Sequence, residues 1–158
     1  MKIAYLHGLD ANNLGPKNLW LKTICDLYDP QIDYRKKKIY TEIKKEILNF
    51  NPEMIIGSSM GGFFAYELAK EMNKKAILFN PALHSRSYEP DMNGLKHKNT
   101  KPDIFCVFGE NDAIINPEKT MQLLKNETYN DENFKMLTHA HDTPLEVFKN
   151  EVSLFMKI

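Results

Sequence analysis

Along the chain, short apolar runs take turns with longer segments in which apolar residues recur every three or four positions, the signatures of buried strands and amphipathic helices. Residues 2 to 6, Lys2-Ile3-Ala4-Tyr5-Leu6, predict a first strand, and Pro16 followed by Leu19, Trp20, Ile24 and Leu27 predicts a helix ending near Pro30. Residues 31 to 35 read as a short edge strand. Thr41 is placed to cap a helix whose Ile43, Ile47, Leu48 and Phe50 share one face, and Asn51-Pro52 stops it. Met54-Ile55-Ile56 reads as a buried strand, followed by a helix with a broad apolar face of Phe63, Phe64, Tyr66, Leu68, Ala69 and Met72.

The alternation continues to the end. Ala76 to Phe79 and Ile104 to Phe108 predict strands, separated by a polar stretch from His84 to Lys101. Asn116-Pro117 combines a cap with proline at the first helical position, predicting a helix to about Asn126. A last strand, Phe134 to Thr138, precedes Thr143-Pro144-Leu145-Glu146, which reads as a capping box opening a helix that buries Phe148, Val152 and Phe155. Strands alternating with helices throughout predict an α/β fold: one domain over residues 1–158, with a mostly parallel sheet of about six strands and helices on both faces.

Composition narrows the function classes. Lysine plus arginine and aspartate plus glutamate both total 21, so no global field favours nucleic acid or an anionic membrane. Lys36, Lys37 and Lys38 form the only basic run and read as a solvated edge. No apolar stretch approaches membrane-spanning length, and the amino-terminal run is too short for a signal peptide, so a cytoplasmic protein is expected. Cys25 and Cys106 fall on a predicted helix and strand, as reduced, core-facing thiols. Lysine outnumbers arginine 19 to 2, a bias that fits an AT-rich bacterial genome.

The chemistry centres on Gly57-Ser58-Ser59-Met60-Gly61, a Gly-x-Ser-x-Gly sequence between an apolar strand and an apolar helix. A serine on so sharp a turn is crowded, and glycine two residues to either side relieves the crowding. The segment fits neither the dinucleotide fingerprint nor the phosphate-binding P-loop. Ligands of parallel sheets gather beyond the carboxyl ends of the strands. There the chain places His7-Gly8-Leu9, then Ser59, Asn80-Pro81-Ala82, Gly109-Glu110-Asn111-Asp112, and finally His139-Ala140-His141-Asp142. Serine, acid and histidine thus arrive in the order of an α/β-hydrolase triad.

Serine is a poor nucleophile until an imidazole removes its proton, and the imidazole needs a carboxylate to fix its tautomer. Asp112 supplies the acid, with Glu110 a weaker competitor. His141 is preferred as base for its position before Thr143, and His139 competes with it. His-x-His also belongs to metal sites, but the metallohydrolase pattern is incomplete and no metal is expected. The oxyanion hole is assigned to the backbone amides of Met60 and Leu9.

Tyr5-Leu6-His7-Gly8-Leu9, Ile56-Gly57-Ser58-Ser59-Met60-Gly61-Gly62-Phe63 and Phe79-Asn80-Pro81-Ala82 together resemble the YqiA-like (UPF0227-type) esterases of the α/β-hydrolase superfamily. The first two segments are widespread in the superfamily, and the third is more particular to this group. The resemblance covers the whole length. It implies a three-layer α/β-hydrolase-like sandwich and a compact bacterial carboxylesterase for short acyl or thioester substrates, with Ser59, Asp112 and His141 at the triad positions. This chain departs from the family in having Thr138-His139-Ala140 where glycines are usual, so His139 and His141 both stay open as the base.

Larger hydrolases insert a helical lid after the strand ending at Asn80. Residues 84–101 have room for one short helix, so an open cleft and small, accessible esters are expected. Three functions follow: a serine esterase or thioesterase without cofactor, an amidase or peptidase using the same triad, and an interaction protein with a degenerate site.

Overall fold

Runs of apolar residues that have no polar face need cover on both sides, and a parallel sheet between two helical layers provides it. The computed structural model describes residues 1–158 and contains six strands: β1 (Lys2–Leu6), β2 (Asp26–Tyr28), β3 (Met54–Ser58), β4 (Lys75–Phe79), β5 (Ile104–Gly109) and β6 (Phe134–Leu137). They form one sheet of order β2-β1-β3-β4-β5-β6, and every pairing is parallel. Five α-helices complete the fold: α1 (Pro16–Ile24), α2 (Ile39–Phe50), α3 (Met60–Met72), α4 (Pro117–Asn126) and α5 (Leu145–Met156). No helix is long and apolar enough to cross a membrane.

Successive strand residues point to opposite faces and so feed two separate cores. Ala4, Leu6, Ile55, Leu78, Cys106 and Phe108 join the larger core with α2, α3 and α4. Ile3, Tyr5, Ile56, Ile77, Phe79 and Val107 join the smaller one with α1 and α5. Phe148 of α5 centres this second core, meeting the rings of Tyr5, Trp20 and Phe79.

Strand order reverses at β1. The chain leaves β1 toward α1 on one face and leaves β3 toward α3 on the other, which opens a crevice between the two strand ends.

Four local expectations need correction. The edge strand is Asp26–Tyr28, paired with Lys2, Ile3 and Ala4, because α1 stops at Ile24. Residues 31–35 form a loop whose Ile32 and Tyr34 are buried by other work: both bind His7. Thr41 does not cap α2, which starts at Ile39. The Asp91 side chain accepts from Lys38 N–H just ahead of the helix, and Thr41 Oγ1 donates to the Asn93 carbonyl. Thr143 makes no capping box either; α5 begins at Leu145 behind Pro144, and the Thr143 hydroxyl faces Asn80 instead. Finally, residues 84–101 hold no helix. They lie as a strap along α2, where Thr41 and Lys44 bind the carbonyls of Asn93 and Gly94.

Because Phe148 is fully buried and its neighbours are aromatic rings that cannot close over a vacancy, Phe148→Ala is expected to lower stability by about 3–5 kcal/mol. Urea denaturation of the purified variant measures this, and a loss below about 1 kcal/mol would refute the packing role.

Candidate active site

Ser59 is the hinge between β3 and α3. Its backbone sits at φ 53° and ψ −115°, a region costly for any residue with a side chain. Three backbone hydrogen bonds hold it there: Ser59 N–H donates to Phe79 O at 3.0 Å, and its carbonyl accepts from Phe63 at 3.1 Å and Ala82 at 3.0 Å. The flanking glycines permit the turn by steric means. A Cβ on Gly61 would overlap the Leu6 carbonyl of β1, and one on Gly57 would overlap the Gly61 carbonyl. The side chain of Ser59 therefore projects from the sheet edge with the amino-terminal end of α3 behind it.

The serine hydroxyl donates to His141 Nε2 at 2.8 Å, and His141 Nδ1–H donates to Asp112 Oδ2 at 2.7 Å. The Asp112 side chain is 1% exposed, and its other oxygen accepts from the amides of Ile114 and Ile115 at 2.8 and 2.9 Å. With both oxygens occupied, the carboxylate cannot rotate away from the imidazole. Glu110 is exposed and takes no part. His139 is buried two residues from His141, but its Nδ1 binds the Ala140 carbonyl at 2.8 Å and its Nε2 meets no hydrogen-bonding partner. The geometry thus brings together Ser59, Asp112 and His141 and leaves His139 apart. No group of three or more His, Cys, Asp or Glu side chains is arranged to hold a metal ion.

The crevice at the switch point is a cleft of about 370 Å³, lined by Ser59 and His141, by Tyr5, His7 and Leu9, and by the loop that leads into α1. Met60 follows Ser59 at the first position of α3, and Leu9 faces the same cleft from the loop after β1. None of residues 84–101 lines it. Asn12 of the loop before α1 does, as do Lys17 and Asn18 in the first turn of α1, and the sequence gives no sign of them because they do not directly follow a strand. Lys17 Nζ reaches across to Asp142 at 3.0 Å, joining α1 to the loop that carries His141. Burial pushes the Tyr5 phenol up to about 12, so it stays protonated beside Ser58, 3.3 Å away.

His7 shapes the loop that holds Leu9. Its Nδ1–H donates to Gly8 O at 2.7 Å, its Nε2 accepts from Ile32 N–H at 2.9 Å, and Tyr34 donates to its carbonyl. A protonated ring would present an N–H to the Ile32 N–H.

The parallel sheet, its two helical layers and the serine at the β3–α3 turn define an α/β-hydrolase fold. Solved structures share it over 99% of this chain. An alpha/beta-superfamily protein of Xanthomonas campestris pv. campestris matches with a TM-score of 0.74 at 12% identity, over 98% of its own length. Est1E from Butyrivibrio proteoclasticus matches at 0.67 and 15%, over 86% of its length. Alpha/beta hydrolase domain-containing protein 10 from mouse matches at 0.65 and 12%, over 90%. The chain belongs to the uncharacterised protein family UPF0227, whose model matches residues 2–147. No curated protein matches it in sequence.

Burial holds the His7 imidazole below its ordinary pKa, and burial followed by the charges of Lys119 and Arg86 does the same to His84. Groups depressed in this way stabilise the fold fully above the ordinary histidine value of about 6.5, and that contribution declines as the pH falls below it. Thermal denaturation at pH values from about 8 to about 5.5 is therefore expected to show a falling melting temperature. His7→Gln and His84→Gln should each flatten the slope; a slope unchanged in both would refute the assignment.

Proposed function

We propose that this protein is a serine hydrolase that cleaves small carboxylic esters or thioesters through an acyl-enzyme intermediate. The observation that carries the proposal is the unbroken hydrogen-bonded series from the Asp112 carboxylate through His141 to the Ser59 hydroxyl. In this mechanism Ser59 Oγ attacks the carbonyl carbon while His141 Nε2 takes its proton, and Asp112 stabilises the imidazolium that forms. The oxyanion of the tetrahedral intermediate is received by the amides of Met60 and Leu9, at the positive end of α3. His141 then returns the proton to the leaving alcohol or thiol. Water, deprotonated by the same imidazole, releases the acid and restores Ser59.

The choice of small substrates draws its support from the cleft. It is open to solvent, and the strap at 84–101 adds no wall that could enclose a long acyl chain. The likeness in fold to a solved structure named esterase PE8, with a TM-score of 0.68 at 11% identity, is in keeping with ester chemistry.

Fluorophosphonate labelling read by intact mass is the direct test. Wild type is expected to take one label, Ser59→Ala none, His141→Ala almost none, and His139→Ala a label like that of wild type. Ester hydrolysis should fall by about 10³-fold or more in the Ser59 and His141 variants. Folded wild type that stays unlabelled would refute the proposal. Acetyl and butyryl esters should be hydrolysed faster than long-chain esters, and the reverse order would refute the open-cleft assignment.

A further inference from the structure

The carboxamide of Asn80 stands between the loop that carries Asp112 and the loop that carries His141. Asn80 follows β4 directly and is 2% exposed. Its Oδ1 accepts from Gly109 N–H at 2.7 Å, at the end of β5, where the Gly109 carbonyl in turn accepts from Asp112 N–H at 3.1 Å. On the other side its Nδ2 donates to the His141 carbonyl at 2.7 Å, with Ala140 O and Thr143 Oγ1 each at 3.4 Å. A primary amide has one accepting oxygen and two N–H donors on rigidly opposed sides, so a single group can hold one amide and one carbonyl of two different loops.

Other contacts join these loops, including Glu110 N–H to Leu137 O at 2.9 Å and Asn111 N–H to His139 O at 3.1 Å. They lie before the His141 position. Asn80 is the side chain that grips the backbone of His141 itself, while the imidazole of that residue binds only Asp112 and Ser59. The backbone of Asn80 lies at φ 43°, the left-handed region that asparagine enters more readily than most residues with a side chain. Its own N–H donates to Val107 O at 3.0 Å, so the clamp is anchored in the sheet.

We infer that Asn80 is a positioning residue for the serine, histidine and acid site: it sets the backbone of His141 at the distance from Asp112 and Ser59 that proton transfer requires. It touches no reacting atom and acts through the backbone that carries His141 and, by way of Gly109, the loop that carries Asp112. The inference rests on the catalytic assignment of Ser59 and His141 proposed above. A base displaced by about 1 Å loses about 100-fold in rate, which sets the scale of the expected effect.

Two variants separate position from fold. Asn80→Gly removes the side chain and tolerates the positive φ. Asn80→Asp keeps the shape and the acceptor for Gly109 but turns an oxygen toward the His141 carbonyl. In both, kcat for a short-chain ester and the rate of fluorophosphonate labelling are expected to fall about 10- to 100-fold with KM unchanged. The low-field proton resonance of His141 Nδ1–H, expected in wild type from its bond to a carboxylate, should broaden or vanish in the variants. Ile77→Val, a core change in the same strand, serves as a control that lowers stability and leaves both readouts as in wild type.

Wild-type labelling rates and an unchanged resonance in either folded variant would overturn the inference. Should neither variant fold, hydrogen exchange on wild type decides: the Gly109 amide should be strongly protected, and exchange as fast as in exposed loops would overturn the clamp. Wild type that fails to label defeats the hydrolase proposal, and the resonance alone then judges the role of Asn80.

Discussion

The close approach of α3 to β1 is the constraint on which the site depends. Gly61 lies against the Leu6 carbonyl with no space for a side chain, and Gly57 lies against Gly61 in the same way. Only at this separation does the chain turn from β3 into α3 within one residue, and that residue is Ser59. Strain at its backbone is offset by hydrogen bonds to Phe79, Phe63 and Ala82, so the nucleophile candidate is held by the three segments that surround it. Its side chain has little freedom left, which is what attack along a fixed direction needs.

The sheet does the remaining arrangement. Period-two alternation divides the strand side chains between two cores, and the helices of each core lock one side of the strand ends. β1, β3, β4, β5 and β6 run in parallel and end along one edge of the sheet, so loops distant in sequence meet there. Ser59 and His141 are 82 residues apart in the chain and in hydrogen-bond contact in space. One oxygen of the acid is held by two amides of its own loop, a local device that leaves the other to face His141.

Much of this was legible in the sequence because apolar periodicity and strand-to-helix punctuation are local. β1, β3, α3 and β5, and α4 with its Asn116 cap, follow from neighbouring residues alone. Where tertiary contacts override local preference, the sequence misled. Gln31 to Arg35 alternates like a strand, yet Ile32 and Tyr34 are buried to hold His7. Thr143 has the spacing of a capping residue, yet its hydroxyl faces Asn80 across the sheet edge. At the site, residue types and chain order pointed to Ser59, Asp112 and a histidine. The choice between His139 and His141 depended on which side chain returns over the edge, and that is set by the turn after β6, beyond the reach of pattern. Asn80 was visible as a strand-end residue, but its two-sided hydrogen bonding exists only in three dimensions.

The strap at residues 84–101 runs along α2 and leaves the cleft bare. On the proposed chemistry this governs the fate of the acyl group as well as the size of the substrate. An ester bond on Ser59 would stand open to bulk water, with no enclosed pocket in which a second alcohol or amine could outcompete it. The partition between hydrolysis and acyl transfer would therefore lie far toward hydrolysis. On that proposal, the bare cleft would favour breaking esters over building them in water.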